Sequence, residues 1–184
     1  MKKVLLVIGD AVELLDTMYP YFRIREDGYE VVVAAPERRR YHMVQHEKPD
    51  DWDITQETAG YHLMSDIAFR DIKPDEYAGI VLSGGRAPEY IRYDEDLMRT
   101  VRFLHEKGRP IASVCHGIEI LATANIIRGK RITTVAKCRF DAEVVGATYV
   151  NEPVVVDGNI VCARTWHDNH LWMREFMKQL NART

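Results

Sequence analysis

The chain has 184 residues, of which 46% are hydrophobic and 29% are charged, a composition typical of one globular domain with a buried core. Its formal net charge of -3 leaves no basic surplus, so we predict no binding to nucleic acid. No apolar run reaches the roughly 18 residues of a membrane span, and the three cysteines form neither a disulfide framework nor a paired metal motif. We therefore predict a cytoplasmic protein without membrane association.

The amino-terminal part of the chain alternates apolar runs with amphipathic stretches. Residues 4–8 and 29–35 are continuous apolar runs, which indicate strands covered on both faces. Residues 11–27 between them have helical spacing, and Pro20 is expected to kink or break that helix. The charged stretch 36–58 is predicted to be an irregular insertion that covers the mouth of a site.

The same alternation continues to the carboxyl end. The predicted elements are short strands within 60–69, a strand at 78–83, a helix at 94–107, a strand at 111–114, a helix at 117–127, a strand at 131–135, a hairpin at 154–163 and a helix at 168–180. Strands that alternate with helices predict an α/β fold with a mostly parallel sheet. We predict a single domain over residues 1–184.

Candidate site residues follow three of the predicted strands. Glu13 comes shortly after the first strand, Gly84 and Gly85 follow the strand at 78–83, and Cys115 and His116 follow the next strand. Ligands of open α/β sheets bind beyond the carboxyl ends of the strands. The sequence therefore predicts an active site where these residues converge.

Cys115 lies at an abrupt turn between a strand and a helix, where a side chain is exposed and the helix amino terminus favours a thiolate. We predict that Cys115 is the nucleophile and that His116 is its base and proton carrier. Glu13, partly desolvated, is expected to donate a proton to the sulfur. The N–H groups of Gly85 and His116 are predicted to form an oxyanion hole, in a loop that Gly84 also leaves open.

Each of these residues has a structural alternative. Cys115 can be a small buried hydrophobe, His116 a surface or capping residue, Glu13 an exposed first-turn acid, and Gly84 with Gly85 a plain tight turn. The combination of strand, cysteine, histidine, glycine and helix favours the nucleophile.

Other histidines and cysteines are weaker candidates. His167 and His170 can share a metal on one helical turn, but no third ligand is evident, and Asp168 between them is interpreted as a helix N-cap. His42 and His46 are assigned to a surface loop. We predict no metal site and no cofactor, and no GxGxxG motif is present.

The motifs together resemble the ThiJ/PfpI superfamily, and within it the branch of PfpI-type intracellular peptidases. The resemblance rests on AVELLD at 11–16 with Tyr19-Pro20, LSGGRAPE at 82–89, IASVCHG at 111–117, VVVDGN at 154–159 and WMREF at 172–176. It implies a flavodoxin-like three-layer sandwich and a catalytic Cys115 with Glu13 and His116. It also implies a homodimer or a dimer-built hexamer, in which the acid that orients the histidine, at the position of Glu89, comes from a neighbouring subunit.

Three segments depart from the pattern of that branch. Ser83 replaces a proline, residues 135–138 lack the usual Tyr-Pro, and residues 166–170 replace a segment that contains proline. These changes fall where pocket walls are expected. The residues assigned to the pocket are Asp16, Cys138, Trp166 and His167.

Two functional hypotheses remain open. The first is a cysteine-dependent enzyme that acts on a small carbonyl or acyl compound or a peptide, since the resemblance implies peptidase, glyoxalase or deglycase activity. The second is a thiol redox sensor or stress-response protein without turnover, because an accessible thiolate is readily oxidised.

Overall fold

The computed structural model describes residues 2–183. The strands are β1 (Lys3–Val7), β2 (Val12–Glu13), β3 (Glu30–Ala35), β4 (Arg40–Glu47), β5 (Gln56–Met64), β6 (Ile67–Ala68), β7 (Tyr77–Leu82), β8 (Ile111–Val114), β9 (Arg131–Ile132), β10 (Thr148–Tyr149), β11 (Val154–Asp157) and β12 (Ile160–Ala163). The α-helices are α1 (Leu14–Glu26), α2 (Ala87–Ile91), α3 (Glu95–Glu106), α4 (Ile118–Thr123), α5 (Arg139–Val144) and α6 (Asn169–Asn181).

A seven-stranded sheet in the order β11-β12-β8-β7-β1-β3-β6 forms the middle layer. Its strands pair in parallel, except that β11 and β12 form the antiparallel hairpin predicted at 154–163. The continuous apolar run of β1 is explained by its two faces, since Leu5 and Val7 enter one core while Val4 and Leu6 enter the other. The predicted α/β fold with a mostly parallel sheet is confirmed.

Helices cover both faces of this sheet. On one face α3 buries Leu97, Val101 and Leu104. On the other face α6 buries Trp172 and Phe176, and the Trp172 indole N–H donates to the carbonyl of Val161 at 3.0 Å. The burial of these large side chains contributes roughly 2 kcal/mol each to stability. The result is a three-layer sandwich.

The predicted irregular insertion at 36–58 is wrong, because most of it is a hairpin. β4 pairs antiparallel with β5, and β2 adds a third strand to this small sheet. Along β4, Tyr41 and Met43 are buried between exposed residues. This alternation was obscured in the sequence by the charged residues on the exposed face. The strand predicted at 131–135 is also shorter than expected, since β9 spans only Arg131–Ile132.

Helix α1 runs through Pro20 without interruption, so the predicted break is wrong. Proline has no N–H, and the carbonyl of Asp16 therefore lacks the donor that residue 20 of a helix normally supplies. The Ser83 hydroxyl donates to that carbonyl instead, at 3.1 Å. Ser83 thus compensates for the missing helical hydrogen bond.

Removing this hydroxyl tests the compensation. Ser83→Ala is expected to lower the free energy of unfolding by about 1–3 kcal/mol, because a buried carbonyl loses its donor. The matched double variant Pro20→Ala with Ser83→Ala is expected to recover most of that loss, because residue 20 then donates to Asp16. Urea denaturation of both variants measures this coupling, and strictly additive effects would contradict it.

No helix within residues 2–183 is long and apolar enough to cross a lipid bilayer.

Candidate active site

The site forms where three neighbouring parallel strands end. In the register of the sheet, Val7 of β1 is opposite Leu82 of β7, and Leu82 is opposite Ser113 of β8. The segments that follow these strands therefore meet. A Cβ atom placed on Gly84 would lie 2.7 Å from the Cβ of Cys115 and 3.3 Å from its sulfur. Only glycine leaves room for Cys115 at this point.

Cys115 adopts the left-handed backbone conformation, with φ at 53°. Such a conformation costs about 1–2 kcal/mol for a residue with a side chain. The Thr134 hydroxyl donates to the Cys115 carbonyl at 2.7 Å and stabilises this conformation. The turn directs the sulfur towards the loop of Gly84 and Gly85.

The Cys115 side chain is only 3% exposed in the single chain, contrary to the exposure predicted from the sequence. Burial raises the pKa of the Cys115 thiol, and the nearby Asp16 carboxylate raises it further. The N–H groups of His116 and Gly85 and the Lys137 ammonium act in the opposite direction. In the single chain these surroundings favour the thiol over the thiolate expected from the sequence, so that Cys115 needs a base to react.

His116 is positioned to be that base. Its Nδ1 lies 3.3 Å from the Cys115 sulfur, and its side chain is almost buried. Burial lowers the pKa of His116 to about 4, with further contributions from Lys137 and His46. The imidazole is therefore neutral near pH 7 and able to accept a proton.

Two buried acids belong to the site. Glu13 accepts a hydrogen bond from the N–H of Asp16 at 2.7 Å, and burial raises the pKa of Glu13 to about 7. Asp16 is fully buried, and both burial and the charge of Glu13 raise its pKa. The raised pKa means that both carboxyls hold a proton more readily than a carboxyl in water does.

Asp16, which the sequence analysis assigned to a pocket wall, is the acid packed against the nucleophile. Its Oδ1 accepts from the Asn169 amide at 3.2 Å, whereas its Oδ2 is buried and has no side-chain hydrogen-bond partner within residues 2–183. A Cβ placed on Gly84 would lie 2.6 Å from that Oδ2. Asp16 therefore faces Cys115 across Gly84.

Asn169 was not predicted, because nothing in the sequence relates it to the first helix.

Glu13→Gln is expected to change how stability depends on pH. The folded state raises the pKa of Glu13 from 4.5 to about 7, so its protonated form stabilises the fold below about pH 4.5 and that contribution is lost as the pH rises to about 7. Glutamine stays neutral and keeps the acceptor oxygen. The variant should gain about 3 kcal/mol relative to wild type between about pH 5 and about pH 8. Urea unfolding of both proteins at about pH 5 and about pH 8 measures this gain. A difference in the free energy of unfolding that is the same at both pH values would contradict the prediction.

His46 is a site residue that the sequence analysis wrongly assigned to a surface loop. It lies on β4 and is 8% exposed, and its backbone N–H contributes to the hydrogen bonds of the Glu13 carboxylate. Its Nε2 is 2.8 Å from a carboxylate oxygen of Glu57, which also accepts from the Arg86 guanidinium at 2.9 Å. The Arg86 hydrogen bond is the main reason that the pKa of Glu57 falls to about 2.

The β4–β5 hairpin adjoins the site. The Lys137 ammonium is 3.4 Å from the Thr55 hydroxyl of this hairpin, and the ring of Trp166 lies 6.4 Å from that of His46. Beside it, an open cleft of about 400 Å³ is lined by His167 and by Thr134, the residue that holds the Cys115 carbonyl. Of the residues assigned to the pocket, His167 lines this cleft and Trp166 packs against His167 at 5.1 Å.

Three other predicted residues differ from expectation in their surroundings. Cys138 is 2% exposed, contacts Glu119 and lies close to His116, and it does not line an open pocket. Glu89 is exposed near the start of α2. Asp168 occupies the N-cap position of α6, but its carboxylate pairs with Arg164 at 2.9 Å and does not cap the helix.

The fold and the site together define an α/β protein with a buried cysteine at a strand-to-helix turn, next to a histidine and two acids. The family model described as the DJ-1/PfpI family matches residues 2–179. The chain belongs to this family, which confirms the resemblance found in the sequence.

Relatives of known name agree with this assignment. The chain is 39% identical over 178 residues to a protein of Thermococcus kodakarensis named as a deglycase, with 97% of this chain and 99% of that one covered. It is 34% identical over 178 residues to the deglycase PfpI of Pyrococcus furiosus, with the same coverage.

Solved structures share the fold. A two-domain protein of Anabaena variabilis, which contains DJ-1/ThiJ/PfpI-like and ferritin-like domains, superposes with a TM-score of 0.83 at 27% identity. The match covers 98% of this chain and 48% of that one. DJ-1beta of Drosophila melanogaster has a TM-score of 0.81 at 18% identity, with 97% of this chain and 90% of that one covered.

Proposed function

We propose that the protein is a cysteine-dependent enzyme that acts on a small carbonyl or acyl compound, with Cys115 as nucleophile. The observation that carries the proposal is the 3.3 Å contact between the Cys115 sulfur and Nδ1 of a neutral His116. A buried thiol of raised pKa paired with a neutral imidazole is a nucleophile with its own base. The names of the relatives support a reaction of deglycase type.

The first step is proton transfer and attack. His116 accepts the thiol proton at Nδ1, in the tautomer protonated at Nε2, and the sulfur forms a bond to the carbonyl carbon of the substrate. The electron pair of the broken π bond moves to the carbonyl oxygen. The N–H groups of Gly85 and His116, which lie near the sulfur, stabilise the resulting oxyanion.

The second step releases the product. Protonated His116 returns its proton to the leaving nitrogen or oxygen as the bond from that atom to the carbonyl carbon breaks. Water then hydrolyses the thioester, giving a carboxylic acid and the free thiol. Asp16 faces the sulfur across Gly84, and its raised pKa favours the protonated acid there, while Glu13, whose pKa is raised to about 7, is the second acid of the site. A dicarbonyl substrate would instead form a hemithioacetal with Cys115, which isomerises to the thioester of a hydroxy acid, and water then hydrolyses this thioester to the free acid and the thiol.

A second copy of the chain is part of the proposal. Leu15, Tyr19 and Phe22 form an apolar face on α1 and are 47%, 38% and 56% exposed. Such a face is typical of a surface that another subunit covers. We propose a homodimer, alone or assembled into a hexamer, in which Glu89 of one subunit orients His116 of the other. Light scattering measures the oligomeric state, and a monomer would contradict this part of the proposal.

The three free cysteines also fit a reducing compartment, and we propose that the protein is cytoplasmic.

A substrate screen tests the enzyme proposal. Methylglyoxal, glycated amines, small amides and short peptides are offered to wild type and to Cys115→Ser at equal concentrations. Turnover of at least one class by wild type alone is expected. Selective oxidation of Cys115 by mild peroxide, with no turnover of any class, would contradict the proposal and support the redox sensor.

A further inference from the structure

A second cluster of buried side chains lies next to the nucleophile and includes residues that the proposed reaction does not use. It consists of His116, Glu119 and Cys138, which are 7%, 6% and 2% exposed. One nitrogen, oxygen or sulfur atom of each lies within 4.8 Å of the others. The Cys138 sulfur is 3.9 Å from Oε1 of Glu119.

The residues of this cluster come from two separate segments of the chain. His116 lies in the 3-10 turn Cys115–Gly117 and Glu119 in the first turn of α4, so the pair shares one face of the chain at i and i+3. Cys138 ends the 3-10 turn Ala136–Cys138 that leads into α5. Because Cys138 is 19 residues from Glu119, no short motif relates them, and the sequence analysis predicted no metal site.

Glu119 carries an unsatisfied oxygen. Its Oε2 is buried and has no hydrogen-bond partner among the described residues. The nearest cation, Arg92, is 3.8 Å from this oxygen and is engaged by Asp141 at 3.1 Å. A buried carboxylate oxygen without a donor costs about 1–3 kcal/mol or more, and a bound cation would remove that cost.

The three groups match the preferences of one kind of ion. Zinc binds imidazole nitrogen, carboxylate oxygen and thiolate sulfur at about 2.0–2.3 Å, which separates tetrahedral ligand atoms by roughly 3.4–3.6 Å. The atoms of the cluster need to move by only about 1 Å to reach such a geometry. We propose that His116, Glu119 and Cys138 form a binding site for Zn²⁺, with water as the fourth ligand.

Binding would release the protons of Cys138 and Glu119, since the metal takes the thiolate and the carboxylate. Two anionic ligands then neutralise the charge of the ion, which suits a buried position. The proposed site shares His116 with the proposed reaction, so a bound ion would occupy the base of Cys115. The test measures metal binding and not turnover, so that failure of either proposal can be told from failure of the other.

Cobalt reports the site directly, because Co²⁺ occupies zinc sites and a thiolate ligand gives an absorption band in the near ultraviolet. Titration of the metal-free wild-type protein with Co²⁺ is expected to develop this band at one equivalent, and Zn²⁺ should displace it. Cys138→Ala is expected to remove the band, and Glu119→Gln to weaken binding by more than about tenfold. The matched variants Cys115→Ser and Cys162→Ala should keep it.

Circular dichroism and thermal unfolding establish that each variant is folded before titration, and Zn²⁺ should raise the melting temperature of wild type but not of Cys138→Ala. Two results overturn the proposal. One is the absence of a thiolate band in folded wild type at excess Co²⁺. The other is a band that survives Cys138→Ala and disappears in Cys115→Ser, which would place the metal on the nucleophile.

Discussion

Cys115→Ser is expected to reduce turnover of any substrate of this protein by at least about a thousandfold, as loss of a nucleophile does in other enzymes with a nucleophile and a base. The serine hydroxyl holds its proton far more tightly than the thiol, and a neutral His116 is too weak a base to remove it. The backbone of the turn and the N–H groups around the side chain are unchanged by the substitution. Steady-state kinetics on the substrate found by screening measures the effect.

The control for this variant is Cys162→Ala. Cys162 is also buried, but it lies on β12 and packs in the core on the opposite face of the sheet from Cys115. The Cys162→Ala substitution should lower the free energy of unfolding and leave the turnover rate unchanged. Wild-type rates in a folded Cys115→Ser protein would exclude Cys115 as the nucleophile.

Gly85→Ala is expected to be the most destabilising single-methyl addition in the site. Gly85 has a φ of 82°, a conformation that costs a residue with a side chain about 1–2 kcal/mol. A Cβ at this position would also collide with the backbone oxygen of Ala11 and the backbone nitrogen of Glu13. Overpacking against backbone adds about 1–3 kcal/mol, so the total is about 3 kcal/mol and the melting temperature should fall by about 10 °C.

Activity should fall as well, because any backbone shift that relieves the collision moves the Gly85 N–H away from the Cys115 sulfur. Gly28→Ala is the matched control. Gly28 has nearly the same φ, 83°, with no atom within 4 Å of an added Cβ. It should lose only about 1 kcal/mol and keep full activity. Equal melting temperatures for the two variants would show that close packing at Gly85 is not the cause.

Much of the fold could be predicted from the sequence because the residue patterns that indicate it are local. The apolar run of β1 and the amphipathic spacing of α3 each depend only on neighbouring residues. Pro20 misled the prediction because its missing hydrogen bond is replaced by Ser83, which is distant in sequence. The hairpin of β4 and β5 was missed because charged residues occupy its exposed face.

The sequence by itself determined the strand-to-helix turn at Cys115, the adjacent His116 and the glycines that surround them, since each depends on residue types in short order along the chain. Only the tertiary structure decided the protonation of these groups. Burial and distant neighbours such as Asp16 set whether the thiol keeps its proton, and a linear pattern carries no information on burial. The same reason explains why His46, Asn169 and the group of Glu119 and Cys138 emerged only from the folded chain.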